Sequence, residues 1–313
     1  MSIFIKKILL KIQFMFYIKP LKNLQRKLSY YSINQNPSFL RLSSKPFISG
    51  DTFRNYSDHI FDETRTLRPK KVKKGDIVFL KTDLKEEYFS KFHNKIKNPY
   101  ILITHNSDAC IEARDLSFID ENIHHWFAMK LNLNMNDKIS PLPAGLENYR
   151  YLSNGNIKNF TYVYNHQKQD EKIDRILCSF NSETNKSERQ PLMSLAKDIN
   201  LIDTKMFNDN LEYLKNLSQY KYNLCPEGNN FESHRLWETL FFENIPIVKN
   251  NMVNKNFIKL GVPLILLNDW DELTSSKLLS DLENSFYNKK NKSRDFLYFD
   301  FWKNKIEAKR LTI

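Results

Sequence analysis

Short apolar runs that alternate with amphipathic stretches limit the fold of this chain more than any other feature of its sequence. From about residue 74 onward, the apolar runs are flanked by Gly, Pro or polar residues, which is typical of buried strands. The stretches between them repeat apolar residues every three or four positions, which is typical of helices that pack on one face. Strands that alternate with helices predict βαβ units and therefore parallel sheets.

The pattern divides into two series separated by a polar segment without a firm period, residues 148–172. The first series predicts strands at 76–80, 100–104 and 139–142 and helices at 85–97 and 121–130. The second series predicts strands at 174–180, 221–225, 244–249 and 263–267 and helices at 186–198, 233–243, 271–284 and 296–309. We expect an α/β protein of two Rossmann-like domains, 51–165 and 166–313, that face each other across a central cleft.

Composition narrows the choice of partners but does not select one. The chain has 313 residues and a formal net charge of +12, which favours nucleic acid, an acidic membrane surface or phosphate-bearing small molecules. Its three cysteines are far apart, with no CxxC pair. This spacing argues against a disulfide framework or a structural zinc site, and it fits a reducing, cytoplasmic compartment.

The N-terminal segment, residues 1–50, is treated separately from the two domains. Residues 3–18 are apolar but interrupted by Lys6, Lys7 and Lys11, so they are too charged for a spanning helix. No small-residue cleavage site follows them, which argues against a cleaved signal peptide. Two alternatives remain: a basic apolar helix lying peripherally on an anionic membrane, and a first helix packed on the protein with solvated lysines.

The most informative segment is residues 222–249. A predicted strand ends at Cys225, Pro226 and Gly228 form a tight loop, and Ser233 stands where it can cap a helix that starts at His234. The unpaired N–H groups and the positive dipole end of such a helix suit a diphosphate.

Arg235 and Glu238 lie on one face of this predicted helix. Arg235 could bind phosphate oxygens through two parallel hydrogen bonds, and Glu238 could accept hydrogen bonds from ribose hydroxyls. The alternative is a surface ion pair at i,i+3 spacing, which would stabilise the helix by only about 0.2–0.5 kcal/mol.

The run CPEGNNFESHRLWETLFFENIPIV, residues 225–248, resembles the donor-site motif of exostosin-like glycosyltransferases. Members of that family carry C-P-x-G-N, then H-R-x-W-E-A-L, then I-P-V-I. The resemblance implies a GT-B fold with a nucleotide-sugar donor bound by Gly228, Asn229, His234, Arg235 and Glu238. It further implies that Arg235 contacts phosphate, that Glu238 contacts ribose, and that transfer inverts the anomeric configuration. This sequence departs from the motif with Thr239 in place of the usual Ala.

A second, less specific resemblance lies in the first half. Residues 74–79, 103–108, 126–128 and 142–147 resemble blocks of the acceptor-side domain of bacterial polysaccharide-type relatives, and they occur in the expected order.

Sugar transfer to a hydroxyl requires a base for the acceptor and positive groups for the leaving diphosphate. Asp108 is the first candidate base and His105 the second, because both follow a predicted strand end; the alternatives are a helix-capping Asp and a structural His. Asn181 and Arg189 follow the strand predicted at 174–180 and could reach the phosphates, although Arg189 could equally be an exposed helix residue.

No cofactor or metal is expected. His105, Asp108, His124 and His125 match no metal-ligand spacing, and the resemblance implies that the diphosphate needs no divalent ion. The sequence thus predicts a glycosyltransferase that moves a sugar to a glycan or lipid-linked acceptor in surface polysaccharide synthesis. The alternatives are a catalytically inactive sugar-binding relative and a basic nucleic-acid-binding protein, although no nucleic-acid-binding module is found.

Overall fold

Two parallel sheets of five strands each form the framework of the chain in this computed structural model, which describes residues 40–151, 153–167, 172–275 and 294–313. The strands are β1 (His59–Phe61), β2 (Ile77–Lys81), β3 (Tyr100–His105), β4 (Ile123–Met129), β5 (Ile139–Leu142), β6 (Ile173–Cys178), β7 (Ile202–Thr204), β8 (Tyr220–Leu224), β9 (Ile245–Lys249) and β10 (Ile265–Leu267). The α-helices are α1 (Gly50–Tyr56), α2 (Lys85–Lys91), α3 (Ile157–His166), α4 (Lys186–Lys197), α5 (Asn210–Leu217), α6 (His234–Phe241), α7 (Met252–Lys259) and α8 (Phe299–Arg310).

Parallel pairing explains why the strands read as continuous apolar runs. β3 is buried at every position, and it pairs in parallel with β2 on one side and β4 on the other. A strand covered on both faces by other elements cannot alternate polar and apolar residues. The mixed α/β class with parallel sheets, predicted from that pattern, is confirmed.

The helix predicted at 121–130 is wrong, because these residues form the strand β4. A short apolar run does not distinguish a strand from a buried helix by its period alone. Trp126, Phe127 and Ala128 are each hydrogen-bonded in register between β3 and β5, so sheet pairing decides the structure. Lys130, which the helix prediction placed on a helix, instead follows a strand end.

Other predictions hold in part. The helix predicted at 85–97 ends at Lys91 and is followed by a 3-10 turn, His93–Lys95. The polar segment 148–172 contains α3, which the sequence did not predict. The helix predicted at 271–284 begins as a 3-10 turn, Trp270–Thr274, and its remainder lies outside the described residues.

Strand order differs between the two sheets. The first runs β1-β2-β3-β4-β5 and the second β10-β9-β8-β6-β7. In the second sheet the chain leaves β6 in one direction to form β7 and then returns to β8 on the other side. A crevice therefore opens between the carboxyl ends of β6 and β8, at the topological switch point where open α/β sheets bind ligands.

Residues 1–39, most of the N-terminal segment 1–50 predicted to contact a membrane or to pack as a first helix, lie outside the described residues. Within the part of the chain that the structure describes, no helix has the length and hydrophobicity needed to cross a membrane.

Candidate functional site

Helix α6 begins at the switch point of the second sheet, directly after the loop that follows β8. Ser233 occupies the N-cap position as expected, but its side chain makes no capping hydrogen bond, and its buried Oγ has no protein partner. The predicted cap is therefore correct in position and wrong in its bond. A helix end with an unused hydroxyl beside its unpaired N–H groups can serve an external acceptor.

Two guanidinium groups flank the ring of Phe180, the second residue after β6. The Arg189 Cζ lies 5.6 Å from the ring centroid and the Arg235 Cζ 6.0 Å from it. Arg189 is only 4% exposed, so the alternative of an exposed helix residue is wrong. Its Nε donates to Glu227 O (2.7 Å) and its Nη1 to Asn181 O (2.9 Å).

The electrostatics of this arginine pair favour an anion. Burial and the nearby charge of Arg235 lower the pKa of Arg189 to about 10. The Nε of Arg235 is buried and has no hydrogen-bond partner among the described residues. Tyr213 and Glu238 raise the pKa of Arg235 against the effect of burial, so its charge is partly balanced within the chain. Two positive charges beside one ring, one of them with an unused donor, still favour a negative ligand there.

Glu238 lies one helical turn beyond Arg235 and is 7% exposed. The hydroxyl of Tyr213 donates to its Oε2 (3.1 Å), and the Arg235 Cζ lies 5.8 Å from the Tyr213 ring centroid. Burial raises the pKa of the Glu238 carboxyl, although Arg235 and His234 act in the opposite direction. The alternative of a solvent-exposed surface pair is therefore wrong.

The loop after β8 crosses to the first half of the chain. Asn229 donates its side-chain amide to Asp108 Oδ2 (2.9 Å), and Asn230 donates to the backbone oxygen of Asp108 (2.7 Å). Gly228 is buried beneath them, and its N–H donates to Asn230 O (3.0 Å). The structure thus brings the candidate donor loop and the candidate base into direct contact.

Asp108 is an exposed carboxylate paired with Lys130, whose Nζ lies 2.8 Å from Asp108 Oδ1. Burial acts to raise the pKa of Asp108, but Lys130 and Asn229 lower it below its usual value. Lys130 was not identified from the sequence as a site residue, because it was assigned to a helix. The available signal was its position directly after an apolar run, where it follows the carboxyl end of β4.

His105 is buried, and both its ring nitrogens are occupied. Its Nδ1 accepts from the N–H of Asn106 (2.7 Å) and its Nε2 lies 2.9 Å from Pro143 O, which fixes the proton on Nε2. Burial lowers its pKa to about 3. His105 holds the turn at Asn106, whose φ is +57°.

His234, the first residue of α6, faces the loop that follows β5. Its Nδ1 lies 2.7 Å from Gly145 O, and its Nε2 lies 3.5 Å from Glu147 Oε2. Burial acts to lower the pKa of His234, but the Glu147 charge and the Gly145 carbonyl raise it.

Glu232 is a second contact between the halves that the sequence did not identify. It is 4% exposed, and its Oε1 accepts from the backbone N–H of Ala144 (2.7 Å) and from Trp237 Nε1 (2.6 Å). Burial raises the pKa of this carboxyl. No sequence signal separated Glu232 from an ordinary loop carboxylate.

Asn181 contacts Arg189 through its backbone and not through its side chain. Its carbonyl accepts from Arg189, while its side-chain Oδ1 caps the 3-10 turn Ser182–Thr184 by accepting from Glu183 N (3.0 Å).

A cavity of about 470 Å³ opens beside the candidate donor loop. It is lined from both halves, by Lys85, Ala109, Cys110, Glu112, Arg114, Asn185, Glu227, Gly228, Asn229, Asn230 and Phe231. Asp108 is the residue before Ala109, so the cavity opens next to the candidate base.

The three histidines and one aspartate considered for a metal (His105, His124, His125 and Asp108) are not gathered into one site. His125 is held by Asp137 O and Ser140 Oγ, and His124 by Thr312 Oγ1. Among the described residues, no group of three or more His, Cys, Asp or Glu side chains could hold a metal ion. The expectation that no metal or cofactor is needed stays a prediction.

Two parallel five-stranded sheets, with charged side chains gathered at the carboxyl ends of their strands, put this chain in the class of two-sheet α/β proteins. The family described as the RXYLT1 C-terminal domain matches residues 157–313, and the chain belongs to that family. The chain is also similar to ribitol-5-phosphate xylosyltransferase 1 of Danio rerio, with 28% identity over 165 residues, 44% of this chain and 36% of the relative. It thus spans little more than a third of the length of that curated relative.

Proposed function

We propose that this chain is a glycosyltransferase of the GT-B arrangement, with the diphosphate of its nucleotide-sugar donor bound between Arg189 and Arg235 at the start of α6. The observation that carries the proposal is the convergence of two guanidinium groups and a helix N-terminus at the switch point of the second sheet. The match to a family named after a xylosyltransferase supports it, and so does the exostosin-like motif.

The polar atoms around α6 match the parts of a nucleoside diphosphate. The unused Nε of Arg235 and Oγ of Ser233 suit phosphate oxygens. Glu238, one turn further along the helix, suits the ribose hydroxyls, because an ionised carboxylate accepts from both. Gly228 leaves space beside the Arg189 guanidinium, because a Cβ added there would lie 3.5 Å from Arg189 Nη2.

The cavity between the halves is the proposed acceptor site. It opens next to Asp108, which lies within hydrogen-bond distance of the donor loop through Asn229. In an inverting transfer, the acceptor oxygen bonds to the anomeric carbon while the bond from that carbon to the diphosphate oxygen breaks. The acceptor proton passes to Asp108, and the diphosphate leaves with the bonding electron pair.

We assign the base role to Asp108 and a supporting role to His105. Asp108 is exposed at the cleft, whereas neither nitrogen of His105 is free to accept a proton. His105 shapes the turn that presents Asn106, two residues before Asp108.

The donor sugar and the acceptor are open to direct test. The name of the zebrafish relative makes xylose the first sugar and a sugar-alcohol phosphate the first acceptor to try. Glycan or lipid-linked acceptors of surface polysaccharide synthesis, a cytoplasmic setting and peripheral membrane contact remain parts of the proposal.

Calorimetric binding of a panel of nucleoside diphosphates tests the donor site, with the wild type compared with Arg235→Ala and Glu238→Ala. We expect one preferred nucleotide, and a loss of affinity of at least about tenfold in both variants, as for one lost charge-assisted hydrogen bond. If no nucleoside diphosphate of the panel binds, or if both variants bind as tightly as the wild type, the proposed donor site is rejected. Tight binding without turnover of any donor would instead identify an inactive sugar-binding relative.

A further inference from the structure

The pair formed by His234 and Glu147 joins the two halves beside the proposed donor site. His234 begins α6, and Glu147 lies in the loop after β5. Because a carbonyl oxygen can only accept, the contact of Nδ1 with Gly145 O (2.7 Å) fixes a proton on Nδ1 in either charge state. The second nitrogen, Nε2, is therefore the one that titrates, and it lies 3.5 Å from Glu147 Oε2.

The backbone around Gly145 makes this orientation rigid. Gly145 has a φ of +69°, a conformation that favours glycine, and an added Cβ would lie 2.5 Å from Ile48 O. Glu147 is also oriented, because its Oε1 accepts from the N–H of Asn148 (2.8 Å) and leaves Oε2 directed at the imidazole.

The charged surroundings of His234 are mixed. From the strand ends and loops of the first half it faces His105, Asp108 and Glu147, and from its own loop and helix it faces Glu232 and Glu238. Positive charge lies nearby on Lys130, the partner of Asp108, and on Arg235, the next residue of α6. Glu147 and Gly145 O raise the pKa of His234 against the effect of burial, with smaller contributions from Glu238 and Glu232.

We propose that Glu147 is a positioning residue that keeps His234 protonated, so that the imidazolium stabilises the leaving diphosphate of the donor held at α6. The inference rests on the proposed function and adds a role for the first half of the chain in donor binding. A carboxylate so close to an anionic donor would otherwise only repel it. The pairing with His234 offsets this repulsion, because Glu147 favours the protonated imidazole and the positive imidazolium attracts the diphosphate.

The test is the pH dependence of donor affinity, measured by calorimetry. The probe is the glucose ester of the nucleoside diphosphate that the panel selects, because its phosphates do not ionise near neutrality. In the wild type, affinity falls as the pH rises through the pKa of His234. In Glu147→Gln we expect affinity at least equal to that of the wild type near about pH 5.5, because the repelling carboxylate is gone. Near about pH 7.5 we expect about five- to tenfold weaker binding, because loss of the partner charge moves the transition to lower pH. In His234→Gln this transition is absent.

Two results would overturn the inference. If Glu147→Gln binds the probe more tightly at every pH, Glu147 only repels the donor. If its curve coincides with that of the wild type, Glu147 has no influence on His234. The matched control is Asp120→Asn, which removes the partner of His93 (3.1 Å) before the amino end of β4 and should leave the curve unchanged.

An NMR titration of the His234 imidazole separates this inference from the proposed function. We expect its midpoint to fall in Glu147→Gln without any ligand, because the carboxylate that raises the pKa of His234 is removed. If the wild type binds no nucleotide, the proposed function fails, and so does the role in donor binding. A changed midpoint with unchanged donor affinity would also reject that role while retaining the pair itself.

Discussion

The side-chain amide of Asn229 donates to the carboxylate of Asp108, with 2.9 Å between Nδ2 and Oδ2, and so joins the loop after β8 to the loop after β3. The other carboxylate oxygen accepts from Lys130 (2.8 Å). The candidate donor loop and the candidate base are thus held together by hydrogen bonds between their own residues. Such preorganisation by neighbouring side chains is what a catalytic constellation requires.

Asp108→Asn should reduce donor turnover by about 100-fold or more, because an amide cannot accept the acceptor proton. Nucleotide affinity should stay within about threefold, because the substituted amide oxygen can still accept from Asn229 and the backbone oxygen of residue 108 still accepts from Asn230. The measurement is nucleoside diphosphate release in the presence of acceptor. Because Lys130 lowers the pKa of Asp108, the wild-type rate should stay level down to about pH 5.

The control for this experiment is Asp83→Asn. Asp83 is an exposed carboxylate that accepts from Ser107, the residue before Asp108, and it also pairs with Lys81. Its substitution should leave turnover nearly unchanged. Equal losses in both variants would point to a general charge effect and not to a base at Asp108.

Gly228→Ala should weaken nucleotide binding by about tenfold while leaving stability within about 1 kcal/mol. An added Cβ would meet Arg189 Nη2 at 3.5 Å, which is ordinary contact, and the φ of Gly228 is not positive. The methyl group would, however, occupy space beside the Arg189 guanidinium, where the phosphate is proposed to bind. Calorimetry measures the affinity, and urea unfolding measures the stability.

Gly261→Ala is the matched control, because it should lower stability without changing nucleotide affinity. Gly261 has open space around its Cβ position but a φ of +86°, so alanine is strained there. We expect a loss of about 1 kcal/mol in stability and no change in affinity. Weakened binding in Gly261→Ala would remove the support for phosphate contact at Gly228.

The sequence was sufficient to predict the fold class, because buried parallel strands appear in it as continuous apolar runs. β3 is apolar along its length and followed by polar residues, and its bounds were predicted to within one residue. β4 was assigned to a helix since its local pattern fits both structures, and only pairing with β3 and β5 decides between them. β1 and β7 each have three residues, too few to show a period.

The candidate site was predictable only where it lies within one segment. Arg235 and Glu238 are neighbours on one helix, so spacing alone related them. Glu147 and Lys130 join the site through contacts between loops that are far apart in the chain. The unpredicted order β8-β6 brings Arg189 to Arg235, and no local pattern encodes that order.

Thr239→Ala should destabilise the chain by about 1–3 kcal/mol, even though alanine is usual at this position of the motif. The Thr239 hydroxyl donates to Arg235 O (2.7 Å) and accepts from Asn223 Nδ2 (2.8 Å) on β8. Alanine would remove the acceptor of a fully buried amide. Urea unfolding should find Thr239→Ser close to the wild type, and equal losses in both variants would attribute the effect to packing of the methyl group.

Asp62→Asn should destabilise the chain by about 3 kcal/mol at neutral pH, because Asp62 forms a buried ion pair with Arg54 (2.6 Å between Oδ2 and Nε). Burial acts to raise the pKa of Asp62, but hydrogen bonds from Arg54 and Thr64 lower it below its usual value. A carboxyl with a lowered pKa in the folded state adds stability above its unfolded pKa, and that stability is lost as the pH falls through the folded pKa. The difference between Asp62→Asn and the wild type in urea unfolding should therefore be constant from about pH 5 to 8 and shrink below about pH 4. The control is Glu87→Gln, which breaks the exposed pair with Lys91 (3.1 Å) and should show little loss of stability at any pH. If the difference between Asp62→Asn and the wild type stays constant down to acid pH, the assigned ion pair is contradicted.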